Sequence, residues 1–145
     1  MTDIRIASLM PAQIAQAASV EQSCLETAWS EAQLRSLPPE TIYLVAESGD
    51  GRVCGICSAR LLDTESELLN LAVLPADRRR HIAAALLKTL FARAVAEGCE
   101  RMYLEVAQTN DPAIALYRSA GFSIAGVRRG FYHGEDAWIM EKPLC

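Results

Sequence analysis

ELLNLAVLPADRRRHIAAALL, residues 67–87, contains a change of hydrophobic period. Through Leu74 the run is short and apolar and is closed by Pro75, which predicts a strand over residues 66–74. Beyond it Ile82, Leu86, Leu87, Leu90, Phe91, Ala94 and Val95 recur at helical spacing, and Gly98 supplies a left-handed stop. That pattern predicts a helix from about Arg80 to Glu97. A strand feeding a helix leaves the first amide N–H groups of the helix free for an anion, and Arg78, Arg79 and Arg80 add positive charge beside them. This is the backbone pattern of a pyrophosphate site, with no glycine in its turn; the plain alternative is a solvated basic helix end.

Working outward, IRIASL reads as a short strand, and Pro11 to about Cys24 as a helix with Ile14, Ala17 and Ala18 on one side. Ser30 and Gln33 stand as a capping box and Trp29 and Leu34 as a hydrophobic staple, so a short second helix is expected from about Ser30. TIYLVAE and RVCGICSARLL flank the polar turn SGDG as a hairpin. RMYLEVA is a strand. Asp111 as N-cap and Pro112 as first helical residue open a helix that ends at Gly121. FSIAGVRR and DAWIMEKPL form two more strands across the loop GFYHGE. Strands interspersed with helices, with hairpins at both ends, predict a mixed sheet in an α/β (α+β) domain covering residues 1–145.

At 145 residues the chain can bury roughly 70% of its unfolded surface, and 51% hydrophobic with 22% charged residues argues against disorder. A net charge of −4 lacks the basic excess of a general nucleic-acid binder and favours a cationic substrate. No segment approaches the roughly 18 uncharged apolar residues of a membrane span, and MTDIRIASLM has no basic leader region. A cytoplasmic protein is therefore expected, with no direct contact to nucleic acid or membrane. The five cysteines are an odd number without a disulfide spacing. Cys54 and Cys57 form a C-x-x-C, but no second Cys or His pair accompanies it and its surroundings read as a strand. Small buried residues account for it better than a metal or redox site.

Chemistry is sought where this layout puts polar groups in costly places. In RMYLEVA the strand period sets Met102, Leu104 and Val106 on one face and Tyr103, Glu105 and Ala107 on the other. Glu105 is thus a mid-strand carboxylate: a general base if the strand is central, an edge charge reaching water if it is not. Tyr117, three residues after Ile114, is by default a core tyrosine whose hydroxyl still needs a partner.

AWSEAQL, ELLNLAVLPADRRRHIAAALL, YLEVAQTNDPAIALYRSAGF and VRRGFYHGEDAWIMEKPL, in that order and spacing, resemble the GNAT superfamily of N-acetyltransferases over nearly the whole chain. Within it they resemble the RimI-type ribosomal-protein-alanine branch. The family pattern at the helix start is Q/R-x-x-G-x-G/A; Arg78 fills its first place and Ala83 its last, while His81 replaces the first glycine. The resemblance implies the acyl-CoA N-acyltransferase fold, a mostly antiparallel sheet with a splayed parallel strand pair. It implies acetyl-coenzyme A as co-substrate, in the cleft where the strand through Leu71, Ala72 and Val73 leaves the strand through Glu105. The pantetheine arm pairs with the first strand, and the pyrophosphate sits on the amides of Arg79, Arg80, His81, Ile82, Ala83 and Ala84. Asn110 matches a cofactor contact. Glu105 matches the general base and Tyr117 the general acid, twelve residues apart. A backbone N–H such as that of Val73 serves as an oxyanion donor, and no metal is required.

For the acceptor, the resemblance points to the segment around Trp29 and Ser30 and to the loop with Phe131, Tyr132 and His133, and to a protein N-terminus, that of a small-subunit ribosomal protein. On the residues alone Trp29 can equally be only a staple, GFYHGE only a hairpin loop, and Arg128 and Arg129 a solvated margin. An α-amine titrates near ~7.7–8.0 and lysine near ~10.4, so peptide α-amines rank ahead of lysine side chains or small amines. Two rivals remain: a non-catalytic acyl-coenzyme A binding module, favoured by the missing glycine, and a nucleotide-binding α/β protein, disfavoured by the absence of G-x-x-x-x-G-K-[ST] and G-x-G-x-x-G.

Overall fold

The computed structural model describes residues 3–132 and 134–144. Its elements run β1 (Arg5–Ser8), a 3-10 turn leading into α1 (Ile14–Cys24), α2 (Glu31–Arg35), β2 (Thr41–Glu47), β3 (Val53–Leu62) and β4 (Glu65–Val73). Then follow α3 (Ile82–Ala96), β5 (Arg101–Ala107), α4 (Asp111–Ser119), β6 (Ser123–Tyr132) and β7 (Glu135–Pro143). The seven strands form one sheet in the order β1-β2-β3-β4-β5-β7-β6. Every neighbouring pair is antiparallel except β4 and β5. The mixed sheet expected from the element pattern is therefore present, with its one parallel pair at the crossover through α3.

Two apolar layers cover the sheet. On one face Leu86, Leu87, Leu90 and Ala94 of α3 pack with Leu44, Cys57, Leu68, Met102, Leu104 and Met140. Val95, counted on the apolar stripe by its spacing, is 40% exposed, because the stripe facing the sheet is narrower than the sequence pattern. Gly55 allows the helix to close on the sheet: a Cβ there would stand 3.2 Å from Leu86 Cδ1 and from the Ala72 carbonyl oxygen. On the other face Ile14, Ala17, Ala18 and Val20 of α1 meet Leu34, Tyr43, Val45 and Ile56. Cys54 and Cys57 lie fully inside the first layer, as small apolar residues do, and burial pushes both thiols above their ordinary range.

The capping box at α2 is formed: Gln33 N–H donates to Ser30 Oγ and Ser30 N–H to Gln33 Oε1. Strand β6 runs on to Tyr132 and β7 starts at Glu135, so the expected loop GFYHGE is mostly strand, and two helix starts near the cleft also differ from expectation. The N-cap of α4 is Asn110, whose Oδ1 accepts from Ala113 N–H at 3.3 Å, and Asp111 is already helical. Asn and Asp are both good caps, and only the spacing to the third amide decides between them. Second, α3 begins at Ile82, not Arg80, because His81 (φ 59°) and Arg79 (φ 67°) lie in the left-handed region. The chain leaves Arg78 extended (φ −68°, ψ 160°) and must reverse into a helix within a few residues. That turn needs positive φ, which the expected helical reading of His81 missed. The turn is braced by Asp77, whose buried carboxylate accepts from both Arg52 nitrogens (3.0 and 3.1 Å) and from Arg80 (2.7 Å). The Arg52 hydrogen bond holds this carboxyl below the usual carboxylate range.

Candidate active site

Strands β4 and β5 are in register only from Glu65 with Arg101 to Glu67 with Tyr103. Beyond that they part. The cause is visible on the other side of β4, where Cys57 pairs with Leu71 but Ala59 with Leu68, so Leu69 and Asn70 together oppose Ser58. This is a β-bulge, which bends a strand and interrupts its alternation. Past the bulge, Leu74 N–H donates to the Cys54 carbonyl at 2.9 Å. Antiparallel alternation then turns the N–H and C=O groups of Val73, and of Leu71 two residues earlier, toward the side that β5 has vacated. Arg78 Nε uses part of that edge by donating to the Val73 carbonyl at 3.0 Å.

Three neighbouring cavities follow the fork. The first, of about 420 Å³, is lined by Leu69, Asn70 and Leu71 of β4, by Glu105 to Ala107 of β5, and by Tyr117 of α4. The second, of about 340 Å³, shares Leu71, Asn110 and Tyr117 with it and continues past Ala72, Val73, Arg78 and Ala83. The third, of about 280 Å³, takes over at Val73, Arg78 and Ala83 and reaches Arg79, His81, Ile82 and Ala84. At its end the first intrahelical bond of α3 is Ala85 N–H to His81 C=O. The amides of Ile82, Ala83 and Ala84 precede that bond and face outward as donors. A larger cavity of about 510 Å³ lies apart from this fork, between the β1 end, α2 and α3, and includes none of the residues expected from the sequence to bind or react.

Glu105 stands on an interior strand with its side chain 18% exposed, and Arg128 Nη1 donates to both of its oxygens at 2.9 and 3.2 Å. Arg128, expected in a solvated margin, thus holds the carboxylate in place. The Tyr117 ring meets Phe122 edge-on at 5.9 Å, and the residue lines the first two cavities. Arg80 does not line the cleft and turns back to Asp77. Trp29 packs in the second apolar layer, its ring 6.1 Å from that of Tyr43, and Ser30 caps α2. The residues between α1 and α2 that line the first cavity are Leu25, Glu26 and Thr27. Tyr132 ends β6 opposite Glu135; its side chain, that of Phe131, and His133 lie outside the described residues. Glu135 also lines the cavity and accepts from Thr109 Oγ1 at 2.8 Å.

Sequence reasoning passed over Asn70 and Glu21. Asn70 is a polar residue inside the apolar run LLNLAV, and Glu21 lies seven residues after Ile14 on the buried stripe of α1. Both patterns were readable signals.

Among the described residues no group of three or more His, Cys, Asp or Glu side chains is arranged to hold a metal, and no helix is long and apolar enough to cross a membrane.

Comparison with known proteins agrees with this geometry. Residues 8–122 match the model of the Acetyltransferase (GNAT) family. The chain is 32% identical over 143 residues to the [ribosomal protein bS18]-alanine N-acetyltransferase of Escherichia coli K12, covering 96% of this chain and 97% of that one. It is 36% identical over 119 residues to an N-alpha-acetyltransferase of Sulfurisphaera tokodaii, covering 72% and 71%. The crystal structure of the Escherichia coli ribosomal-protein-S18-alanine N-acetyltransferase superposes with a TM-score of 0.87 at 31% identity, over 98% of this chain and 94% of that one.

Proposed function

The chain belongs to the GNAT family of acetyltransferases, and from that premise we propose that it acetylates the N-terminal α-amine of a protein, beginning with Ala or Ser, in the manner of its ribosomal-protein-alanine relatives. The observation that carries the reading is the meeting of Glu105 and Tyr117 on one cavity at the fork of β4 and β5. Acetyl-coenzyme A, as co-substrate, supplies the acetyl group as a thioester. The vacated backbone edge of Leu71 and Val73 suits its extended arm, and the outward amides of Ile82, Ala83 and Ala84 suit its pyrophosphate. Glu105 accepts the proton of the attacking amine, directly or through one water. Tyr117 donates its proton to the departing sulfur. The Val73 N–H supports the negative charge on the carbonyl oxygen.

The test is competition between a free N-terminal Ala peptide and its N-blocked, lysine-containing counterpart in the presence of acetyl-coenzyme A, read by mass spectrometry. Modification of the α-amine in preference to lysine is expected; modification confined to lysine would place the protein in another branch of the family.

His81 gives a second expected result. A left-handed non-glycine residue costs about 1–2 kcal/mol, and glycine loses about 0.5–1 kcal/mol in chain entropy. The balance favours His81→Gly by about 0.5–1 kcal/mol, a rise of about 2 °C in melting temperature for a chain of this size. Removing the Cβ also opens the amides, so calorimetric titration at pH 8 should show equal or tighter acetyl-coenzyme A binding. Weaker binding by the glycine variant would mean that the imidazole itself contacts the ligand.

A further inference from the structure

Behind the cleft lies a carboxylate that this chemistry does not use. Glu21 is fully buried in α1. Three donors converge on it: Trp29 N–H (2.7 Å) and Asn70 Nδ2 (2.8 Å) on Oε1, and the Tyr43 hydroxyl on Oε2. Burial, and then the Glu21 hydrogen bond, push the Tyr43 phenol far above its ordinary range, so it stays a donor. With Tyr43 donating and two N–H groups arriving, Glu21 acts only as acceptor.

The consequence falls on Asn70. A carboxamide has one NH2 and one oxygen on opposite sides of a planar group, and the NH2 is committed to Glu21. Its Oδ1 therefore faces away from Glu21. The bulge at Leu69 and Asn70 puts Leu68 in the α3 layer and Asn70 against α1. On β5, Met102, Leu104 and Val106 fill the α3 layer, so Glu105 stands on the same face as Asn70. Continued from Glu67 opposite Tyr103, the parallel register brings Glu105 level with the bulge, and both residues line the first cavity.

We propose that Asn70 Oδ1 is a second acceptor for the substrate amine, and that Glu21 is the positioning residue that fixes its orientation. The inference rests on the α-amine acetylation proposed above. A neutral primary amine has two N–H groups and one lone pair. With one N–H on Glu105 and the other on Asn70, the lone pair is left with a single direction, toward the thioester carbonyl. Asn70 exchanges no proton. The N–C bond forms as the C–S bond breaks, one amine proton passes to Glu105, and Tyr117 protonates the sulfur.

The test uses the full chain with acetyl-coenzyme A and two peptides, one with N-terminal alanine and one with N-terminal N-methylalanine. The secondary amine has a single N–H when neutral, which Glu105 needs, so it cannot also satisfy Asn70. Asn70→Ala is expected to lower kcat/KM for the alanine peptide about tenfold, the scale of one hydrogen bond lost. It should change the N-methyl peptide far less, so that the preference between them collapses while the Kd for acetyl-coenzyme A holds. Asn70→Ser, which keeps a polar side chain at the position without the carboxamide oxygen, guards against a folding defect and should show the same collapse. Among Glu21 variants, Glu21→Gln, which keeps an oxygen for Asn70, should retain the preference and Glu21→Leu should lose it. Equal losses on both peptides, or an unchanged preference in both Asn70 variants, would overturn the assignment. Wild-type protein that acetylates neither peptide would instead remove the acetylation reading, and this proposal with it.

Discussion

Glu105→Gln is expected to lower kcat by about 10²- to 10³-fold at pH 7, the range of a lost general base. The carboxamide has nearly the shape of the carboxylate, and its oxygen can still accept from Arg128, which now donates at 2.9 and 3.2 Å. The substitution therefore removes the proton affinity and the charge opposite Arg128 while keeping the shape and one of the two Arg128 contacts. Its effect should depend on pH with a definite sign. Below about 7.7–8.0 an α-amine is mostly protonated and attack requires a proton acceptor; above that range the neutral fraction rises and the base has less to do. The deficit should be largest near pH 6.5 and should shrink toward pH 9. Acetyl-coenzyme A affinity should hold, because the cavity at the start of α3 does not include Glu105. A variant with wild-type kcat at pH 6.5, folded and binding the co-substrate, would show that Glu105 is not the base.

The parts of this architecture that depend on near neighbours were readable in advance. The change of period at Pro75, the Ser30–Gln33 capping box and the stop at Gly98 (φ 91°) each express an interaction within a few residues, and each stands where the pattern put it. The bulge could not be read the same way. It consists of Leu69 and Asn70 opposing Ser58, and a register exists only between two strands. Without it Asn70 has no assigned face, so its bond to Glu21 was out of reach. The left-handed Arg79 and His81 were hidden for a related reason: glycine announces positive φ, and here tertiary packing imposes it on residues that do not. The Asp77 carboxylate, joined to Arg52 from the β2–β3 turn, supplies part of that packing. Glu105 was legible as a misplaced charge, whereas its partner Arg128 lies two strands away across β7 and gave no sequence signal.

Tyr117→Phe is the second large effect, a fall in kcat of about 10²-fold at pH 7, at the low end of general acid catalysis. Phenylalanine preserves the ring and its edge contact with Phe122, 5.9 Å away, so the melting temperature should move little. What is lost is the hydroxyl of a residue that lines the two cavities between the fork and α4. A thiol of ordinary acidity, near pH 8.5, is basic enough as a leaving group that a proton delivered to sulfur as the C–S bond breaks lowers the barrier. The same reasoning separates the acid from the base by leaving group. A thioester of a much more acidic thiol needs no proton donor, so Tyr117→Phe should recover most of its rate with such a substrate, while Glu105→Gln, whose defect lies at the amine, should not. Two variants that recover together, or neither recovering, would mean that the roles assigned to these residues on either side of the reacting carbonyl are wrong.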